Sequence, residues 1–422
     1  MKMRVLLLVA VAVTVFTFPA AADDWPQWRG PKRDGISKET GLLTEWPKSG
    51  PKLLWQTTDI GSGYSTPAVV GDRLYLISNK GKDNEFVHAL AVKDGKEIWA
   101  TKLGMVGANI PFANYPGSRS TPTVDGDVLY ALGSDGDLIC AKIADGSEVL
   151  RKSLRSDFAG KPGKWAYSES PLVDGNVVVC TPGGKDATLV ALDKKSGKLL
   201  WKSAIPDGDL AAYSSAIVME TGGVKQYVQF LEKGVVGVEA KTGKFLWRYD
   251  KTAANSPANI PTPVEHGGYI YTASGKGGAA LVKVTVNNEK ASADEVYFNE
   301  KLPKTIGGSI WLGGYLYGTG AKSMMCVEFT TGVQKWSDKS IEAASLCYAD
   351  GRFYLHGENG DVALVVATPD GYLETGRFTP PGQPKHLVGP MEKAWAYPVV
   401  ANGRLYLRDH GVVWCYDVKA GK

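Results

Sequence analysis

The sequence predicts an all-β protein: an eight-bladed β-propeller of four-stranded blades, in which a strand near the N-terminus completes the last blade. Three observations carry this. A two-strand unit with a Gly-centred turn recurs eight times. From Pro67 to Pro398 its copies stand about 47 residues apart, close to the roughly 40–50 of a propeller blade. A second motif, ending in tryptophan, closes four of the eight copies. Fifty glycines and twelve tryptophans in 422 residues fit the same class, because glycine turns between short apolar runs mark all-β chains.

The elements follow in order. Residues 1–22, beginning "MKMRVLLLVAVAVTVF", have a basic start, an apolar stretch from Val5 to Phe18 and small residues Ala20 and Ala22 before Asp23. This is the layout of a cleaved secretory signal. About 14 apolar residues is short of the roughly 20 a membrane span needs, and no later run is long enough, so no span is expected after cleavage. Residues 23–50, with Trp25, Trp28 and Trp46, are expected to strap the body, since three exposed indoles would form a sticky patch. Residues 51–422 make the propeller.

Its copies are "YSTPAVVGDRLYLIS" at Tyr64, "STPTVDGDVLYALG" at Ser120, "ESPLVDGNVVVC" at Glu169, "SSAIVMETGGVKQYVQF" at Ser214, "PTPVEHGGYIYTA" at Pro261, "GGSIWLGGYLYGT" at Gly307, "ASLCYADGRFYLHG" at Ala344 and "AYPVVANGRLYLRD" at Ala396. Asp-Gly, Asn-Gly and Gly-Gly supply the positive φ that tight hairpins require. The closing motif appears as "ALAVKDGKEIW", "ALDKKSGKLLW", "GVEAKTGKFLW" and "CVEFTTGVQKW", with Trp99, Trp201, Trp247 and Trp336; Leu150 replaces it in the second repeat, and the fifth and seventh are degenerate. Four-stranded sheets cannot bury both faces alone, so each such indole is expected to fill the wedge between blades. The eighth repeat ends at "CYDVKAGK" without its tryptophan strand. The missing strand is found in "PKLLWQT", where Trp55 is expected to dock beside Cys415–Val418.

The pattern Ala-x-Asp-x-x-Thr-Gly-Lys-x-x-Trp resembles the tryptophan-docking motif of quinoprotein (pyrroloquinoline quinone, PQQ) dehydrogenases and that of the eight-bladed scaffold lipoprotein of the bacterial outer-membrane barrel assembly machinery. The segment "DWPQWRGPKRDGIS" is similar to the start of many secreted bacterial PQQ-like repeat proteins. Active dehydrogenases and non-catalytic scaffolds share this architecture. For the enzymes, the resemblance implies an aromatic floor under the quinone, basic donors, Ca²⁺ held by oxygens, an Asp base and often a disulfide between adjacent cysteines. Cys140, Cys180, Cys326, Cys347 and Cys415 include no adjacent pair, and no haem-attachment Cys-x-x-Cys-His is present. No cofactor is therefore expected, with PQQ and calcium as the alternative.

Lys plus Arg 48 against Asp plus Glu 44 gives no basic face for nucleic acid. The five histidines lie in separate repeats without metal-ligand spacing, and neither a metal site nor catalytic residues are expected. "SGKGGA" at Ser274 lacks the context of a phosphate loop and is read as a hairpin. The basic run with Arg151, Lys152, Arg155, Lys161 and Lys164 is read as a solvated edge. Ligands of propellers usually bind where the loops leading to the innermost strands converge. The candidates there are Tyr64, Arg119, Tyr167, Glu169, Tyr213, Asn259 and Trp395, walled by the long connections Gly104–Ser118 and Thr379–Lys393. The functional expectation is an exported, periplasmic or extracellular, non-catalytic binding or scaffold module with an envelope or secreted protein partner; the alternative is a small quinoprotein alcohol or sugar dehydrogenase.

Overall fold

A computed structural model describes residues 24–58, 60–81, 83–107, 117–253, 258–287, 290–384 and 393–421. The expected signal, His386 and the middle parts of both long connections lie outside these. Eight antiparallel four-stranded sheets form the body, and the short turn Leu154–Phe158 is the α-helix among the described residues. In the first blade the strands are Ala68–Val70, Arg73–Lys80, Asn84–Ala91 and Glu97–Met105. First strands of neighbouring blades touch one another around the axis, so each blade runs outward in chain order. The apolar residues form inter-blade layers, as where Ala68, Tyr75 and Ala89 of blade one meet Leu129, Ile139 and Ala141 of blade two.

The last blade is closed by both parts of the chain. Val399–Ala401, Arg404–Asp409 and Val412–Asp417 are joined by Lys52–Thr57 as the outer strand, with Leu53 opposite Tyr416 and Trp55 opposite Cys415. No open face then remains between the first and last sheets, the arrangement by which propellers protect their edges.

One register position, marked by a bulge between the third and fourth strands, carries the inter-blade contact in most blades. Trp55, Trp99, Trp201 and Trp336 occupy it in blades eight, one, three and six. Their indole N–H groups donate to Val92, Ile143, Ala240 and Thr368 carbonyls of the following blade, at 2.7–3.1 Å. Gly95, Gly146 and Gly243 lie beneath three of the rings so closely that any Cβ would meet the indole within 2.6 Å. Leu150 holds the position in blade two.

Trp247 shares the register and is buried in the layer with Ile270 and Val282 of blade five, but its N–H donates to Gln226 Oε1 of its own blade at 2.7 Å. The following blade offers no short Thr-Gly turn there, because its third and fourth strands, Gly278–Asn287 and Lys290–Asn299, run ten residues each. The two degenerate repeats are filled differently. Tyr297 takes the position in blade five, donating its hydroxyl to Phe329 O over Gly332. In blade seven the position is Gly376, and Trp46 from the N-terminal segment lies against it, with rings 5.3 Å from Phe378 and 5.8 Å from Tyr354.

Residues 24–50 run across the ring and bond to its blades. Backbone bonds join Trp25 to Val69 and Pro26 to Val124. Arg33 donates to carbonyls of Ser170, Pro171 and Ala216, Trp28 to Thr262 and Arg29 to Ser309. Ser37 pairs with Tyr348, and Glu39 accepts from the Asn402 and Gly403 amides. The strap touches every blade and crosses the central channel.

Candidate functional site

Ser and Thr residues that precede the first strands of several blades help build the channel wall. Thr66 Oγ1 accepts the Tyr397 amide at 3.0 Å, Ser170 Oγ accepts Thr121 N at 2.9 Å and Ser215 Oγ accepts Ser170 N at 2.9 Å. Each bond crosses from one blade to the next, so the hydroxyls act as staples where the innermost strands lack sheet partners across the gap.

Above them lies a cavity of about 260 Å³ at the channel mouth, with Trp28, Tyr64, Arg119, Trp165, Tyr213, Trp395 and Tyr397 among its walls. Trp28 is the strap's contribution and forms a T-shaped pair with Tyr397 at 4.6 Å. Trp165 sits 5.7 Å from Tyr213, and Tyr64 sits 5.2 Å from Trp395. Arg119 is half-buried, donates to Trp165 O at 3.0 Å and stands 5.9 Å from the Tyr64 ring, within the range of a cation–π contact. Ser168, Ser170 and Ser215 add hydroxyls, and Ile260 and Ile306 add apolar wall. Burial pushes the Tyr213 and Tyr397 phenols up to about 12, so both are neutral at ordinary pH.

Four of the seven residues singled out in the sequence, Tyr64, Arg119, Tyr213 and Trp395, meet in this cavity. The other three face elsewhere. Tyr167 donates to Pro182 O, after Ala166 has turned the chain through a left-handed φ of 70°. Asn259 donates to Leu231 O and Glu232 O, each at 2.8 Å. Glu169 is buried beneath the wall, accepting from Thr181 and Gln229. Desolvation raises its carboxyl to about 7, although these bonds and nearby Arg33 favour the charged form.

Trp28, Trp165 and Tyr397 escaped sequence reasoning. Tyr397 could have been found by its place in the repeat. Trp28 reaches the channel only through the long-range crossing of the strap.

The remaining candidates are held structurally. His88 is buried between Ser78 and Glu97, and His356 against Ala396 O. Arg151 pairs with Glu148 and Asp137, and Arg155 with Asp135. All five cysteines are buried and free.

A quinone–calcium pair needs carboxylate or carbonyl oxygens converging on the metal. The described lining gives an aromatic floor and one guanidinium but no carboxylate. Among the described residues no three His, Cys, Asp or Glu side chains converge. The cavity also falls below the roughly 300–1,000 Å³ of small-molecule sites. These residues do not fit that pair.

Residues 83–338 match the family model described as outer membrane protein assembly factor BamB. Quinoprotein alcohol dehydrogenase PedH of Pseudomonas putida is 27% identical over 242 residues, covering 54% of this chain; the chain spans only 36% of PedH. Outer membrane protein assembly factor BamB of Burkholderia pseudomallei is 24% identical over 347 residues, covering 73% of this chain and 84% of that protein. The crystal structure of BamB from Moraxella catarrhalis superposes with a TM-score of 0.60 at 14% identity, over 89% of this chain and all of that one, a likeness of fold. No helix among the described residues is long and apolar enough to cross a membrane.

Proposed function

The chain belongs to the PQQ-like repeat propeller family of the BamB assembly-factor model, and on that premise we propose that it is an exported, non-catalytic binding or scaffold propeller of the cell envelope. Its site is the channel mouth, and its partner is a protein. The observation that carries this reading is the make-up of the mouth cavity. It gathers aromatic walls, hydroxyl donors and one guanidinium, with no paired acid and base among the described residues. Such a lining suits recognition, where aromatic and Arg anchors dominate, better than proton transfer, which needs groups tuned near the working pH.

The test is affinity capture from an envelope fraction with the full chain, comparing wild type with Tyr213→Ala and Trp395→Ala. A partner recovered by wild type and lost by both variants supports the reading. Equal recovery by all three removes it. The second reading, a small quinoprotein oxidoreductase, draws on the likeness to PedH. Adding PQQ with Ca²⁺ decides it: a bound quinone chromophore and dye reduction with an alcohol or sugar would establish it, and their absence would end it.

A further inference from the structure

The mouth cavity has a one-sided polar chemistry. Three ring donors of its walls are spent inside the protein, Trp28 Nε1 on Thr262, Trp395 Nε1 on Glu358 and the Tyr397 hydroxyl on Ile306 O, whereas the Tyr213 hydroxyl accepts the Trp165 amide and keeps its proton to donate. Ser170 and Ser215 have each taken a backbone N–H and keep their own proton to donate. Ser168 Oγ is buried and without a hydrogen bond among the described residues, although its side of the wall faces the cavity. Arg119 adds positive charge at the edge. Among the described residues no carboxylate or carboxamide side chain lines the space.

A ligand for such a site brings acceptors. A pyranose would bring as many O–H donors as acceptors, and a buried donor left unpaired costs about 1–3 kcal/mol. Size points the same way: about 260 Å³ suits one large side chain better than a whole cofactor.

We propose that the channel-mouth cavity takes a single phenylalanine-class side chain from an extended polypeptide segment, with a neighbouring Asp or Glu set against Arg119 and a backbone carbonyl received by the Ser168–Ser170–Ser215 hydroxyls. Phenylalanine fits better than tyrosine or tryptophan because it brings no side-chain donor of its own. The proposal rests on the reading of the mouth as a partner site and specifies that partner's chemistry.

The test uses the full chain and a fluorescein-labelled peptide, Ser-Gly-Asp-Phe-Asp-Gly-Ser, followed by anisotropy. Replacing the peptide's Phe by Ala, or its Asp residues by Lys, is expected to weaken binding at least tenfold. Ser168→Phe, which fills the cavity, should do the same, and Trp395→Leu serves where that variant does not fold, with thermal melts as the control. Arg119→Ala should weaken the Asp peptide about fivefold and leave an Asn version unchanged. Binding that ignores the peptide's Phe, or survives both cavity variants, overturns the proposal. So does displacement of the peptide by glucose or glucuronate, which would mark a saccharide site. A captured envelope partner that is lost by Tyr213→Ala and Trp395→Ala but still binds Ser168→Phe sinks this inference while sparing the partner reading; failure to capture any partner, with the peptide still bound, does the reverse.

Discussion

Trp46→Ala tests whether the strap completes the seventh blade. The indole is nearly buried, at 7% exposure, between Phe378, Tyr354 and the bare backbone of Gly376. Burying an indole removes roughly 150–250 Å² from water. At about 25 cal/mol per Å² this bounds the contribution at about 4–6 kcal/mol, and core Trp→Ala changes commonly cost about 3–5 kcal/mol. We expect a loss of about 3–4 kcal/mol in urea unfolding followed by tryptophan fluorescence. Trp46 Nε1 has no acceptor among the described residues, so Trp46→Phe sacrifices area alone and should cost about 1 kcal/mol. A Cβ at Gly376 would stand 2.6 Å from Trp46 Cβ and 3.0 Å from the ring, so Gly376→Ala should cost about 1–3 kcal/mol. Part of that strain vanishes when the ring is absent, which predicts a favourable coupling of about 1 kcal/mol in the double variant. A Trp46→Ala protein as stable as wild type, or strict additivity in the cycle, would refute the argument.

Further expectations concern closure, protonation and thiols. Gly95→Ala places a methyl 2.6 Å from the Trp55 ring on a residue with φ of 71° and should cost about 2–4 kcal/mol in the same unfolding assay; a neutral result would mean that Trp55 does not seal blade eight onto blade one. Glu169 is held protonated more readily in the folded state than in the unfolded chain, with its carboxyl raised to about 7, so its stabilising contribution is full below about pH 4.5 and is lost as pH rises to about 7. Glu169→Gln should remove that decline, worth about 3 kcal/mol, and a wild-type-minus-variant difference that is flat from pH 4 to 8 would contradict it. The difference is needed because His356, lowered to about 4 by burial, acts oppositely: its contribution is present above about pH 6.5 and is lost as pH falls towards 4. The cysteines are buried and burial raises their thiols, Cys326 to about 11 and Cys347 and Cys415 to about 12. The folded protein should therefore resist Ellman's reagent until denatured, and prompt labelling would show that the layers open.

Much of the architecture was legible because it repeats. Glycine turns and alternating strands announce themselves locally, and the pairing of Trp55 with Cys415 followed from a motif cut short at one end and found at the other. Local patterns failed where a contact depends on a distant segment. Nothing near Gly376 says that Trp46 will lie against it, and nothing in repeat four says that Trp247 will turn to Gln226. At the mouth, position in the repeat located Tyr64, Arg119, Tyr213 and Trp395. Side-chain direction was another matter. Tyr167 and Asn259 sit on irregular backbone, where hydrogen bonds to Pro182 and Leu231 carbonyls decide where each side chain goes. The strap's own share, Trp28 at the cavity and Arg29 and Arg33 in the channel, follows from a crossing that no spacing encodes.

The pairing of Lys52–Thr57 with Val412–Asp417 also dictates a timetable. The earlier strand must wait for one made about 360 residues later, and bringing the two together closes a loop of that length at an entropic cost of about 5 kcal/mol. Seven sheets can assemble as the polypeptide emerges, but the circle locks only afterwards, making this step slow and leaving two unpaired ladders vulnerable to aggregation in the interval. A circular permutant that links Val412–Asp417 directly to Lys52–Thr57 and cuts between two other blades would turn that distant embrace into a neighbourly hairpin, and should refold faster with the same final shape.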